Sequence, residues 1–137
     1  MAEQANSEKR RFKRVPVSFA MLYAVKLPFV VRMISGNRER SAVSQDIGEG
    51  GMGLLTNFEI PADSLLKVKF TLTNESILDN VERTRNFELD VQVHYCSPVE
   101  NGSFRLGVSF INIVLSERQF IADYIRSNIL LPHPEFE

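Results

Sequence analysis

The chain has 137 residues, of which 44% are hydrophobic and 24% charged, with no tryptophan, one cysteine and a formal net charge of −1. These values suit one globular domain, and the lone cysteine excludes an internal disulfide framework and a cysteine-built zinc site. No run approaches the roughly 18 apolar residues of a membrane span, and the N-terminus is polar and then basic, so neither membrane insertion nor a secretory leader is expected and the cytoplasm is the expected compartment.

Residues 1–8 carry little apolar surface and are expected to form a flexible tail. Val15, Val17, Phe19, Met21, Tyr23 and Val25 then fall at alternate positions, the period of a strand with one face on a core. Pro16 near its start suits an edge or first position. Phe29 to Ile34 reads as a second strand, and the turn residues Ser35-Gly36-Asn37-Arg38 lead into a third over Ser41 to Ile47. After a glycine cluster at 48–53, Met52 to Thr56 reads as a short strand. Leu65 to Thr73 alternates cleanly, with Leu66, Val68, Phe70 and Leu72 on one face and Lys67, Lys69, Thr71 and Thr73 on the other. Asn74 to Asn86 is a loop or one or two helical turns. Phe87 to Tyr95 and Phe104 to Phe110 follow as strands, joined by a loop whose Asn101-Gly102 is a hairpin signal.

The C-terminal part is helical in character. Ser116-Glu117-Arg118-Gln119 has the S-x-x-Q form of a capping box. Phe120, Ile121, Tyr124, Ile125 and Ile129 make an apolar stripe behind it, and Pro132 ends the helix. Six or seven strands and one helix are what a small antiparallel barrel with the helix against one opening would require.

Chemical motifs are few. His94 and His133 are too far apart in sequence for a paired metal site, Cys96 has no basic neighbour to lower its pKa, and no G-x-S-x-G elbow is present, so no catalytic or metal-ligating residue is expected. Gly48-Glu49-Gly50-Gly51-Met52-Gly53 satisfies G-x-G-x-x-G, but Pro61 leaves no room for the helix a dinucleotide fold needs there, and a turn with positive φ is the plainer reading. Charge is uneven. Lys9, Arg10, Arg11, Lys13 and Arg14 hold five of the 16 basic residues, leaving 11 basic against 17 acidic residues elsewhere, a balance of −6. That distribution opposes tracking of DNA or RNA and suits one spot for a small polyanion.

Arg10-Arg11-Phe12-Lys13-Arg14, Asp46-Ile47-Gly48-Glu49-Gly50-Gly51-Met52-Gly53-Leu54 and Leu106-Gly107-Val108-Ser109-Phe110 together resemble the PilZ domain family. The resemblance covers residues 9–130. It implies an all-β dominated fold, a small six-stranded antiparallel barrel with a C-terminal α-helix, which binds the second messenger cyclic di-GMP through R-x-x-x-R and D/N-x-S-x-x-G segments. Carried over, Arg10 and Arg14 match the two arginines, with Arg11 beside them, and Asp46 and Gly51 match the ends of the second segment. Gly48 stands where the family has serine, and Gly50 and Gly51 would let backbone amides approach the ligand. Guanidinium forks suit the phosphates and guanine O6 and N7, and a carboxylate suits the guanine N1–H and N2–H₂ donors.

The domain is expected over 9–131, with the barrel at about 15–112, the helix at about 116–131 and a tail at 132–137. The function implied is a non-enzymatic bacterial receptor whose arginine segment changes conformation on binding. It would signal to an unidentified downstream protein or through a homodimer, in control of motility, biofilm or exopolysaccharide. The alternative is a PilZ-like adaptor that has lost nucleotide binding and acts through protein contacts.

Overall fold

The computed structural model describes residues 14–34, 38–74 and 84–130. Six antiparallel strands, β1 (Arg14–Leu27), β2 (Arg40–Gly48), β3 (Gly51–Thr56), β4 (Leu65–Thr73), β5 (Thr84–Pro98) and β6 (Phe104–Ile111), close into a barrel of order β1-β2-β3-β6-β5-β4. A short helix, α1 (Phe29–Ile34), follows β1, and α2 (Leu115–Leu130) follows β6.

Alternation builds the core. In β4, Leu66, Val68, Phe70 and Leu72 point inward while Lys69, Thr71 and Thr73 face water. Ile47, Met52, Val93 and Val108 are fully buried and sit opposite one another across β2, β3, β6 and β5. The Tyr23 hydroxyl shares a buried 2.6 Å hydrogen bond with Thr56 Oγ1, which satisfies two polar groups inside the barrel. Phe19, Phe70 and Phe87 form a ladder with ring centroids 5.6 and 5.0 Å apart, and the Phe120 ring of α2 meets Phe87 edge-on at 5.8 Å. Phe120, Ile121 and Ile125 bury the helix face against the barrel core, in accord with the stripe read from the sequence.

Three expectations are corrected. Phe29 to Ile34 is a helix, not a strand, since Val31 and Arg32 both donate backbone hydrogen bonds to the Pro28 carbonyl. Only Val31 of the six is buried, so the run lacks the two-sided packing that would hold it in a sheet. The start of α2 is not a serine-capped box. The Glu117 carboxylate accepts from the Val114 amide at 3.2 Å, and Ser116 Oγ instead accepts from Arg85; the reciprocal half of the box is present two residues earlier, without a hydroxyl cap. Finally, the glycines at 48–53 do not supply positive φ. Among the described glycines only Gly102 does, beside Asn101 at the β5–β6 tip, where the Asn-Gly signal was read. The expectations for Asn74 to Asn86 fall largely outside the described residues, as do those for the two tails.

Candidate functional site

Strand register decides which residues share a face, because partners across an antiparallel pair project to the same side. The row Ile47–Met52–Val108–Val93 points into the core, so the rows on either side of it point outward. One outward row is Asp46–Gly53–Gly107–Tyr95. The other holds Gly48 opposite Arg14, and Gly51 opposite Ser109, which in turn faces Gln92. Four glycines therefore line one outer face of the barrel.

Gly51, Gly53 and Gly107 each have a packing reason to lack a side chain. A β-carbon on Gly51 would collide with the Val108 carbonyl, one on Gly107 would enter the Tyr95 ring, and one on Gly53 would lie 2.6 Å from Arg105 Nη2 and 3.0 Å from Asp46 Oδ2. The glycines thus let β3 approach β6 and let a ring and a guanidinium lie flat on the sheet.

Asp46 is the hub. Its Oδ1 accepts from the Gly53 amide at 2.8 Å and from Arg14 Nη1 at 3.3 Å, and its Oδ2 accepts from Arg105 Nη2 at 2.7 Å. Arg105 also donates through Nε to the Tyr95 hydroxyl at 3.3 Å and through Nη1 to Gln45 Oε1. Burial pushes the Asp46 carboxyl up, but the Arg105 hydrogen bond, the charges of Arg14 and Arg105 and the Gly53 amide outweigh it and hold the group below the ordinary carboxylate range. Arg105 responds in the matching direction: burial opposes its charge, and the bonds to Asp46 and Tyr95 raise its pKa. The result is a fixed carboxylate that aims two guanidinium forks over a nearly side-chain-free floor, an arrangement suited to a phosphate-bearing planar ligand.

Of the residues expected here from sequence, Arg14, Asp46, Gly48, Gly50 and Gly51 all lie on or beside this face; Arg10 and Arg11 lie outside the described residues. Sequence reasoning missed Arg105, Tyr95 and Gln45. Arg105 was findable by parity, since it stands two positions before Gly107 and must share its outward face. Gln45 and His94 were not, because both sit at register shifts, between Ser44 and Asp46 on β2 and between Val93 and Tyr95 on β5. Such bulges redirect single side chains without a mark in the alternation. His94 is exposed and shares a 2.6 Å hydrogen bond with Ser109 Oγ. A separate cleft of about 630 Å³, bordered by Leu22, Lys69, Phe70 and Glu88, lies on the β1-β4-β5 side. It holds none of the Asp46 cluster, and its only charged lining is the Lys69–Glu88 pair, so chemistry favours the glycine face. Among the described residues no group of three or more His, Cys, Asp and Glu is placed to hold a metal ion, and no helix is long and apolar enough to cross a membrane.

The family model described as PilZ domain matches residues 8–127. No curated protein matches the chain. Among solved structures, the Bacillus subtilis inhibitor of motility (MotI/DgrA) is similar at 15% identity with a TM-score of 0.67, over 91% of this chain and 54% of that one. The PilZ domain of YcgR from Escherichia coli, solved with c-di-GMP, gives 19% identity and a TM-score of 0.56 over 87% of this chain and 90% of that one. The PlzA protein of Borreliella burgdorferi in complex with c-di-GMP gives 15% and 0.55 over 90% and 43%. The chain spans about half the length of the inhibitor of motility and of PlzA. At these identities the structural likeness carries the fold.

Proposed function

Because the chain belongs to the PilZ domain family, we propose that it is a non-catalytic receptor for cyclic di-GMP, with the glycine face as its binding surface. The observation that carries this reading is the Asp46 hub: one carboxylate positions Arg14 from β1 and Arg105 from β6 over the outer face that carries Gly48 and Gly51. The ligand has two phosphates and two guanines. Arginine forks match the phosphate oxygens and the Hoogsteen edge of guanine, and Asp46 matches the guanine N1–H and N2–H₂ donors once a guanidinium is transferred from it to the ligand. Arg10 and Arg11, four and three residues ahead of Arg14 in the sequence, would close over the bound nucleotide and so change the surface offered to a downstream protein. That ordering subtracts from affinity. Two of the similar solved structures contain c-di-GMP, which supports the choice of ligand. Cytoplasmic placement follows from the ligand and is part of the same proposal.

A second reading, a nucleotide-independent adaptor, draws on α1. Phe29, Val30, Met33 and Ile34 are each more than 60% exposed, a concentration of apolar surface typical of protein contacts. Calorimetric titration of cyclic di-GMP into the protein, with GTP as competitor, separates the two. Saturable binding at micromolar levels or tighter, lost in Arg14→Ala and Asp46→Ala, is the expected result; no heat from the folded wild type would move the function to the adaptor reading.

A further inference from the structure

Ser109 and His94 occupy the far end of the outward row that begins at Arg14. Ser109 faces Gly51 across the β3–β6 ladder, and Gly51 follows Gly48 through the two-residue link Glu49-Gly50. His94 is the extra residue of the β5 bulge between Val93 and Tyr95. It is exposed, and its Nε2 lies 2.6 Å from Ser109 Oγ. Bulges gather beside binding sites because they re-aim one side chain out of the regular pleat, and this one brings an imidazole to the edge of the glycine floor.

The pair has a fixed chemical surplus. A neutral imidazole carries one N–H and a serine carries one O–H, and their mutual bond uses one of these two hydrogens. If Ser109 donates to Nε2, the Nδ1–H remains; if Nε2–H donates, the hydroxyl hydrogen remains. Either tautomer leaves one donor for an acceptor on a ligand. Three strand spacings of about 4.8 Å separate Arg14 from Ser109, roughly 14 Å of sheet. That span is between backbones; the Arg14 guanidinium crosses the first spacing to reach Asp46 on β2, which leaves about two spacings, roughly 10 Å, to Ser109, wider than one phosphate and suited to a ligand with a second one.

We infer that Ser109 and His94 form a second anchor of the nucleotide site, donating a hydrogen bond to the phosphate of cyclic di-GMP remote from Arg14. The pair supplies, from β5 and β6, hydroxyl chemistry that Gly48 does not supply from β2. This inference rests on the receptor reading above and extends it to residues outside both arginine- and aspartate-containing segments.

The test is calorimetry with cyclic di-GMP on wild type, Arg14→Ala, Ser109→Ala, His94→Ala and the Ser109→Ala/His94→Ala double variant, with the His94 ring resonances of the wild type followed through the same titration. A lost neutral hydrogen bond predicts about three- to tenfold weaker binding in either single variant. The double variant should be no weaker than about the worse single one, since the two groups act as one donor. The wild-type His94 resonances should shift to saturation with the calorimetric affinity. If wild type binds and Arg14→Ala does not, while Ser109→Ala and His94→Ala bind like wild type and the ring resonances stay still, the anchor is overturned and the receptor reading stands. If wild type does not bind, both fall. Should a variant lose its fold, judged by its thermal midpoint, the wild-type ring resonances decide alone.

Discussion

On the β1-β4-β5 side of the barrel, Lys26 and Lys67 meet Asp90 at 3.2 and 4.0 Å, and Lys69 meets Glu39 and Glu88 at 2.7 and 3.5 Å, through side chains that are 34–56% exposed. On the β2-β3-β6 side, Asp46 is 17% exposed and holds Arg14 and Arg105, at 16% and 26%. The two faces have similar distances and different surroundings. Exposed pairs are screened and cost side-chain entropy, so they contribute little to stability. The shielded cluster has lost part of its hydration, and removing one member strands the others. A count of ion pairs would rank the lysine face first; burial ranks the aspartate face first.

The strongest way to break the aspartate face leaves its charges in place. Gly51→Ala forces a β-carbon into the Val108 carbonyl, so β3 and β6 must separate. A loss of about 3 kcal/mol in urea unfolding is expected, together with loss of cyclic di-GMP binding in calorimetry. Asp46→Ala comes next, at about 2 kcal/mol, because two guanidiniums and the Gly53 amide lose their acceptor. A double-mutant cycle of Asp46→Ala with Arg105→Ala should show coupling of about 1 kcal/mol or more; additivity within error would mean that the two do not act together.

Acid sharpens the contrast. The folded pKa of Asp46 lies below its unfolded value, so its stabilisation is complete above about pH 4 and is lost as pH falls through the folded pKa. Asp46→Asn has no such limb. The stability gap between wild type and Asp46→Asn should therefore be full near neutrality and shrink on acidification, and a gap independent of pH would contradict the assignment. The smallest effect belongs to the other face: Asp90→Ala should change stability by less than about 0.5 kcal/mol, and Lys69→Ala should leave the thermal midpoint where it was.

The same contrast explains what could be read in the sequence. Strand β4 announces itself because one face is apolar and the other polar, and β1 because large apolar residues recur at every second position, so Tyr23, Val25, Leu66 and Val68 could be placed inward from the letters alone. Arg14, Asp46 and the glycines were legible through the resemblance of their two segments to those of the PilZ family. Arg105 was not singled out because an arginine in an alternating strand looks like ordinary solvated surface until its partner across two strands is known. The run Phe29-Val30-Val31-Arg32-Met33-Ile34 misled for the opposite reason. Its β-branched and aromatic residues favour a strand, yet only Val31 finds a core, and local hydrogen bonding to Pro28 settles the backbone. The capping position lies at Val114 rather than Ser116, because the Glu117 carboxylate takes the Val114 amide, while the Ser116 hydroxyl accepts from Arg85.

The strand order has a consequence for how this surface comes into being. β3 neighbours β6 and β1 neighbours β4, so two of the six seams join segments far apart in the chain, and Asp46 bonds partners 32 and 59 positions away. Local pairs such as β1–β2 or β5–β6 can form early, but β1–β2 brings Asp46 only to Arg14 and β5–β6 holds only Arg105. The complete hub, with both guanidiniums on Asp46, exists only after the last strand is laid beside β3, a step slowed by the entropy of closing a long loop. During synthesis no partial chain that ends before β6 can assemble it, which makes the appearance of the site a timer for completion of the barrel.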